Sequence, residues 1–196
     1  TGAAKITLPD NMIAGTDIEN RGNAGVTIKN VDKSTLPEEV RNSVGDKPVI
    51  QLVFTVDGEQ KAWNNPNAPV TVSIPYTPTE EELNDPEHIV VWYIDGSGKV
   101  VPVPNGHYDP VTGTVTFTTT HFSYFAVAYV RKTFGDLGSV EWARKPIEVM
   151  ASKGIISGTG LDAFSPMNSI TRADYLVMLV NTLGLKTEFD DNFDDV

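Results

Sequence analysis

The 196-residue chain contains no cysteine, which excludes disulfides, thiol nucleophiles, iron–sulfur clusters and cysteine-based zinc sites. Histidine is nearly absent as well. Only His88, His107 and His121 occur, and none forms an HExxH pair, so zincin-type hydrolysis is excluded. Basic residues are too few to balance the acids: 15 Lys and Arg stand against 26 Asp and Glu, for a formal charge of −11. A surface of that sign is a poor match for the phosphates of duplex nucleic acid, and for an anionic membrane face. No apolar run approaches the roughly 20 residues that span a bilayer, so membrane insertion is not expected. No motif asks for a cofactor or a resident metal. What remains is ordinary globular composition, 40% hydrophobic and 21% charged, which argues against wholesale disorder.

Residues 1–131 read as β-rich. Short candidate strands fall at Lys5 to Leu8 and Val26 to Lys29, and a longer one at Val49 to Val56 closes on the turn dipeptide Asp57-Gly58. Val70 to Ile74 alternates apolar and polar residues, as a half-buried strand does. Ile89 to Ile94 and Lys99 to Val103 flank Asp95-Gly96-Ser97-Gly98 and predict a hairpin. Thr114 to Thr119 and His121 to Val130 complete the set. Helical pieces are expected at Ser34 to Glu38 and Thr79 to Leu83, each opened by a capping hydroxyl. Many short strands separated by turns predict a two-sheet sandwich.

Residues 132–192 change character. Val140, Ala143, Ile147 and Met150 recur at helical spacing, as do Tyr175, Leu176, Leu179, Val180 and Leu183. Gly154 and Gly184 sit just past these two segments, where a left-handed terminator is wanted. A helix–loop–helix unit follows, too small to bury both faces alone. Phe134-Gly135-Asp136-Leu137 returns 59 positions later as Phe193-Asp194-Asp195-Val196, so residues 193–196 read as the start of a second copy. Together with the non-Met start, Thr1-Gly2, this predicts a piece of a longer exported chain. The acidic stretch Glu188 to Asp195 lacks EF-hand spacing and reads as a solvated linker before it reads as a calcium site.

Six elements of the C-terminal third resemble the S-layer homology module: Phe134-x-Asp136, Trp142-Ala143, Ile147, Gly154-Ile155-Ile156-x-Gly158, Phe164-x-Pro166 and Ile170-Thr171-Arg172-Ala173-Asp174. Asp174 departs from the Glu usual there, and Ala163 from a common turn Gly. The resemblance implies a small all-α module that anchors an exported bacterial protein non-covalently to an anionic secondary cell-wall polysaccharide. Such modules commonly pack in threes, so further repeats or other copies of the chain are implied partners, and the localisation implied is the cell wall or S-layer. The binding residues it points to are Arg172, Trp142, Gly158 and Asp174. Arg172 offers a planar donor fork suited to carboxylate or phosphate, with structural pairing to an acidic neighbour as the other reading. Trp142 is expected in the core with an edge toward a groove, and Gly158 in a turn. Thr171 and Asp174 have the form of a capping box, so Asp174 reads as a helix-start device before a ligand.

The stretch Thr120-His121-Phe122-Ser123-Tyr124-Phe125 resembles the His-Phe-Ser tripeptide of self-cleaving ZU5-type domains and of the nucleoporin autoproteolytic domain. The implied fold is a ZU5-like or immunoglobulin-like sandwich. The implied chemistry is attack by Ser123 Oγ on the Phe122 carbonyl carbon, an N→O acyl shift with His121 as base and then acid, and hydrolysis of the ester. The alternative is that His121 and Ser123 are buried polar groups of a central strand, satisfied by its neighbours. A third possibility is an accessory carbohydrate-binding module in which Trp63, Trp92 and Tyr93 form an aromatic platform, against which Trp92 also reads as core.

Overall fold

A computed structural model describes residues 4–14 and 22–185. The acidic tail, the returning motif at Phe193 and the Thr1-Gly2 start lie outside those residues.

The β-rich part forms two antiparallel sheets. One runs in the order β1 (Lys5–Thr7), β5 (Val70–Pro75), β9 (Thr114–Thr119), β8 (His107–Asp109). The other runs β2 (Ala24–Asn30), β3 (Val49–Val56), β10 (Tyr124–Tyr129), β6 (Ile89–Ile94), β7 (Val100–Val103), with β4 (Glu59–Lys61) paired to the far end of β3. Alternate residues of both sheets meet in one core: Ile50, Leu52 and Phe54 from β3, Val70, Val72 and Ile74 from β5, Val115 and Phe117 from β9, Phe125 and Val127 from β10. That period of two is what packs the sheets face to face.

The second sheet is buried on its outer face as well. Helix α1 (Glu38–Val44) lays Val40 and Val44, one helical turn apart, over Val49 of β3 and Ala126 of β10. The expected helical piece at Ser34 to Glu38 is therefore two elements. A 3₁₀ turn at Lys33–Thr35 is capped by Asp32, and α1 starts only after Pro37. Helix α2 (Glu80–Asn84) begins at Thr79 with a capping box closed by Glu82. Asp57 and Gly58 both take positive φ, and a two-residue turn pairs Val56 with Glu59.

One strand boundary is corrected. The segment His121 to Val130 is not a continuous strand, because Thr120 to Ser123 carries the chain from β9 in one sheet to β10 in the other. The crossing is tied to a neighbouring loop, with Asn65 N–H donating to Thr120 O at 2.8 Å and Phe122 N–H to Trp63 O at 3.2 Å, and its last residue meets β3 through Leu52 N–H on Ser123 O at 3.0 Å.

After β10, a 3₁₀ segment (Gly135–Val140) leads into α3 (Glu141–Ser152), and a long loop leads to α4 (Arg172–Leu183). Phe134, Leu137, Val140, Ile147 and Ile156 are the buried centre of this unit. α4 contributes only the half-buried Met178, and none of its residues is buried. Gly154 and Gly184 have φ of 71° and 61°, the left-handed geometry expected where each helix stops.

Candidate functional site

In the S-layer-like segment the motif residues first build the loop between the helices. The Asp136 carboxylate accepts hydrogen bonds from Phe164 N–H, 2.9 Å to its nearer oxygen, and from Ser165 N–H at 2.7 Å. Those two backbone donors hold its pKa below the usual aspartate range. Asp162 closes the other side, accepting from Gly135 N–H at 3.1 Å. The Phe134 and Phe164 rings pack with centroids 5.4 Å apart and planes tilted by 49°. Asp136 was quoted in the sequence only as part of a motif. Its role is to pin Phe164-Ser165-Pro166 to the start of the module, and no local pattern reveals a partner 28 residues away.

Gly158 is required by close approach rather than by turn conformation. A Cβ there would stand 2.6 Å from the Ala163 carbonyl oxygen and 2.7 Å from the Phe134 ring. At the start of α4, Thr171 Oγ accepts from Asp174 N–H at 3.1 Å, while the Asp174 carboxylate accepts from Thr171 N–H at 2.9 Å and from its hydroxyl at 2.7 Å. Asp174 is thus a capping residue, and the Thr171 bonds hold its pKa low.

Arg172 occupies the first position of α4, is exposed, and forms no ion pair among the described residues. Its guanidinium is available, which removes the acidic-neighbour reading within those residues. Trp142 requires a correction: it is 84% exposed at the start of α3 and belongs to no core cluster. Among the described residues, no hydrogen bond, ion pair or ring contact joins Trp142, Gly158 and Arg172.

In the sandwich, His121, Phe122 and Ser123 are half-buried in the crossover. The Ser123 hydroxyl donates to Ile94 O at 2.9 Å, while the His121 ring lies against Tyr93 at 4.9 Å, with Nδ1 3.3 Å from Thr119 Oγ. Phe122 packs on Trp63 at 4.6 Å. The tripeptide is brought to one place, with its hydroxyl engaged by a backbone carbonyl. The aromatic platform does not form: Trp63 is buried in the sandwich core with its indole N–H on Met12 O at 3.0 Å, whereas Trp92 packs in the α1 cluster. An open depression of about 740 Å³ lies at one end of the sandwich. Three of its polar residues are engaged with one another, since Glu82 accepts from Tyr76 OH at 2.7 Å and pairs with Lys47 at 3.0 Å. Burial, and then that bond to Glu82, push the Tyr76 phenol pKa upward. Among the described residues, no group of three or more metal-ligating side chains converges.

Residues 133–176 match the S-layer homology domain family. That domain, with the relatives below, associates the chain with the extracellular cell wall and S-layer. An amylopullulanase of Thermoanaerobacterium thermosulfurigenes is 30% identical over 98% of this chain, which spans 10% of that protein. Exoglucanase XynX of Acetivibrio thermocellus and endo-1,4-beta-xylanase A of Thermoanaerobacterium saccharolyticum are each 35% identical over 33% of this chain, or 6% of their own length. The chain therefore spans a tenth or less of these relatives. No solved structure matches it.

Proposed function

We propose that this chain is the wall-anchoring segment of a larger carbohydrate-active protein. Residues 132–192 form an S-layer homology module that binds an anionic secondary wall polysaccharide, and residues 1–131 are the sandwich that spaces it from the rest. The observation that carries the reading is Arg172: an exposed guanidinium with no ion pair among the described residues, at a capped helix start within a matched S-layer homology domain on an otherwise acidic chain. General attraction to a polyanion is unfavourable at a net charge of −11, so affinity must come from a local donor set. Trp142 supplies an exposed indole for sugar stacking, Gly158 keeps the loop close, and Asp174 fixes the helix end that presents Arg172. The apolar side of α4, with Tyr175, Leu176, Leu179, Val180 and Leu183 exposed, is the surface for a following repeat. Co-sedimentation with purified walls tests this. Binding to walls carrying the polymer and loss from walls stripped of it support anchoring; equal binding to both contradicts it.

Self-cleavage between Phe122 and Ser123 is a second reading, favoured by the position of the tripeptide at the crossover from one sheet to the other. It requires the Ser123 hydroxyl to leave Ile94 O and the Phe122 carbonyl to be polarised. Intact-mass measurement decides it: two fragments, abolished by Ser123→Ala, support cleavage, and a single mass after prolonged incubation rejects it. For the sandwich as a carbohydrate-binding module, titration with soluble xylan or β-glucan is decisive, since the absence of heat leaves the spacer role.

A further inference from the structure

Among the described residues the module's own core is small for the chain it must order, five buried hydrophobic side chains with α4 contributing none. A helix in such a unit needs a second surface. α3 has one on its polar side, where Ser152 is 2% exposed. What covers it is the sandwich.

His88, itself 2% exposed, stands just before β6 and meets both units. Its Nδ1 is 2.9 Å from Val130 O and 3.0 Å from Ser152 Oγ. A carbonyl only accepts, so Nδ1 carries the proton and donates. The Ser152 hydroxyl donates onward to Glu148 O at 2.8 Å, leaving its oxygen free to accept from His88. Contacts continue along the helix in both directions. Toward its start, Lys145 Nζ pairs with Glu87 at 2.9 Å. Toward its end, Lys153 Nζ donates to Gly106 O at 2.9 Å. Burial lowers the Lys153 pKa, with Glu87 opposing. Beyond that, Gly154 lies so close to Pro102 that a Cβ would stand 2.8 Å from its ring. A flexible spacer makes no such series of contacts.

We infer that the β-sandwich is the docking partner of the S-layer homology module, holding α3 through the His88–Ser152 bond and its flanking contacts so that both move as one body. The sandwich then sets the direction in which the module faces the wall, and it occupies the α3 side, leaving α4 for any neighbour. This holds or fails independently of polysaccharide binding.

NMR relaxation on the intact chain gives the first test: one rotational correlation time for β10 and α3 amides is expected, and faster tumbling of α3 overturns the proposal. Hydrogen exchange of two variants gives the second. Ser152→Val, altered on the module side, removes the acceptor for His88 together with the hydroxyl's bond to Glu148 O within α3, and should make α3 amides exchange at least about tenfold faster. Glu87→Gln, a surface change on the sandwich side that removes the ion pair to Lys145 and leaves the α3 sequence intact, should act in the same direction. Parallel acceleration of β10 also supports docking, since the units then open together. Unchanged α3 exchange in both variants overturns it.

Discussion

Asp136 and Asp174 show how single carboxylates hold the S-layer-like unit together. Each has its pKa depressed by local donors, backbone N–H groups for Asp136 and Thr171 for Asp174. A depressed folded-state value means the stabilisation is fully present above the ordinary aspartate pKa, about 3.9, and is lost as pH falls through the lower folded value. Acid titration followed at 222 nm should therefore show helix loss below about pH 4, and Asp136→Asn should flatten that dependence. Thr171→Ala removes the cap and should destabilise α4 by about 1 kcal/mol, read from thermal melts. The Thr171 to Asp174 box was legible because its partners are three residues apart. The exposure of Trp142 was not, because helical spacing says which residues share a face and nothing about what covers that face.

At the level of elements, sequence and structure agree where alternation is long enough to be read. β3 and β9 match their expected spans, and the hairpin of β6 and β7 pairs Ile94 with Val100 across the expected turn. β4 and β8 are not legible in the sequence, because Glu59-Gln60-Lys61 has no apolar residue and His107-Tyr108-Asp109 has one aromatic between polar neighbours. β10 begins three residues later than its apolar pattern suggests, because the pattern runs on through a half-buried crossover that pairs with a neighbouring loop. Phe117 of β9 packs on Phe125 of β10 at 4.8 Å, across the two sheets. Phe117→Ala should cost about 3–5 kcal/mol in denaturant unfolding. Gly158→Ala drives a methyl into a carbonyl and a ring, and should destabilise the module by about 1–3 kcal/mol while leaving β-sheet exchange unchanged.

For the whole molecule, the least legible feature is the junction, since His88 and Ser152 lie 64 residues apart and neither sits in a recognisable pattern. The division into a β part and a helical part was legible from the change in periodicity near residue 131. Which side of the helical part faces the sandwich was not. The charge of −11 keeps its meaning across scales: it opposes unspecific binding to polyanions, so the proposed anchoring rests on a local donor set that includes Arg172. The most direct test displays the intact chain densely on beads, so that several modules engage one polymer, and measures retention of purified wall polysaccharide. Anchoring through Arg172 requires retention by the native chain and about tenfold weaker retention by Arg172→Gln at unchanged helical content, the loss of one charge-assisted contact. Retention no better than blank beads, or equal retention by the two proteins, would contradict it.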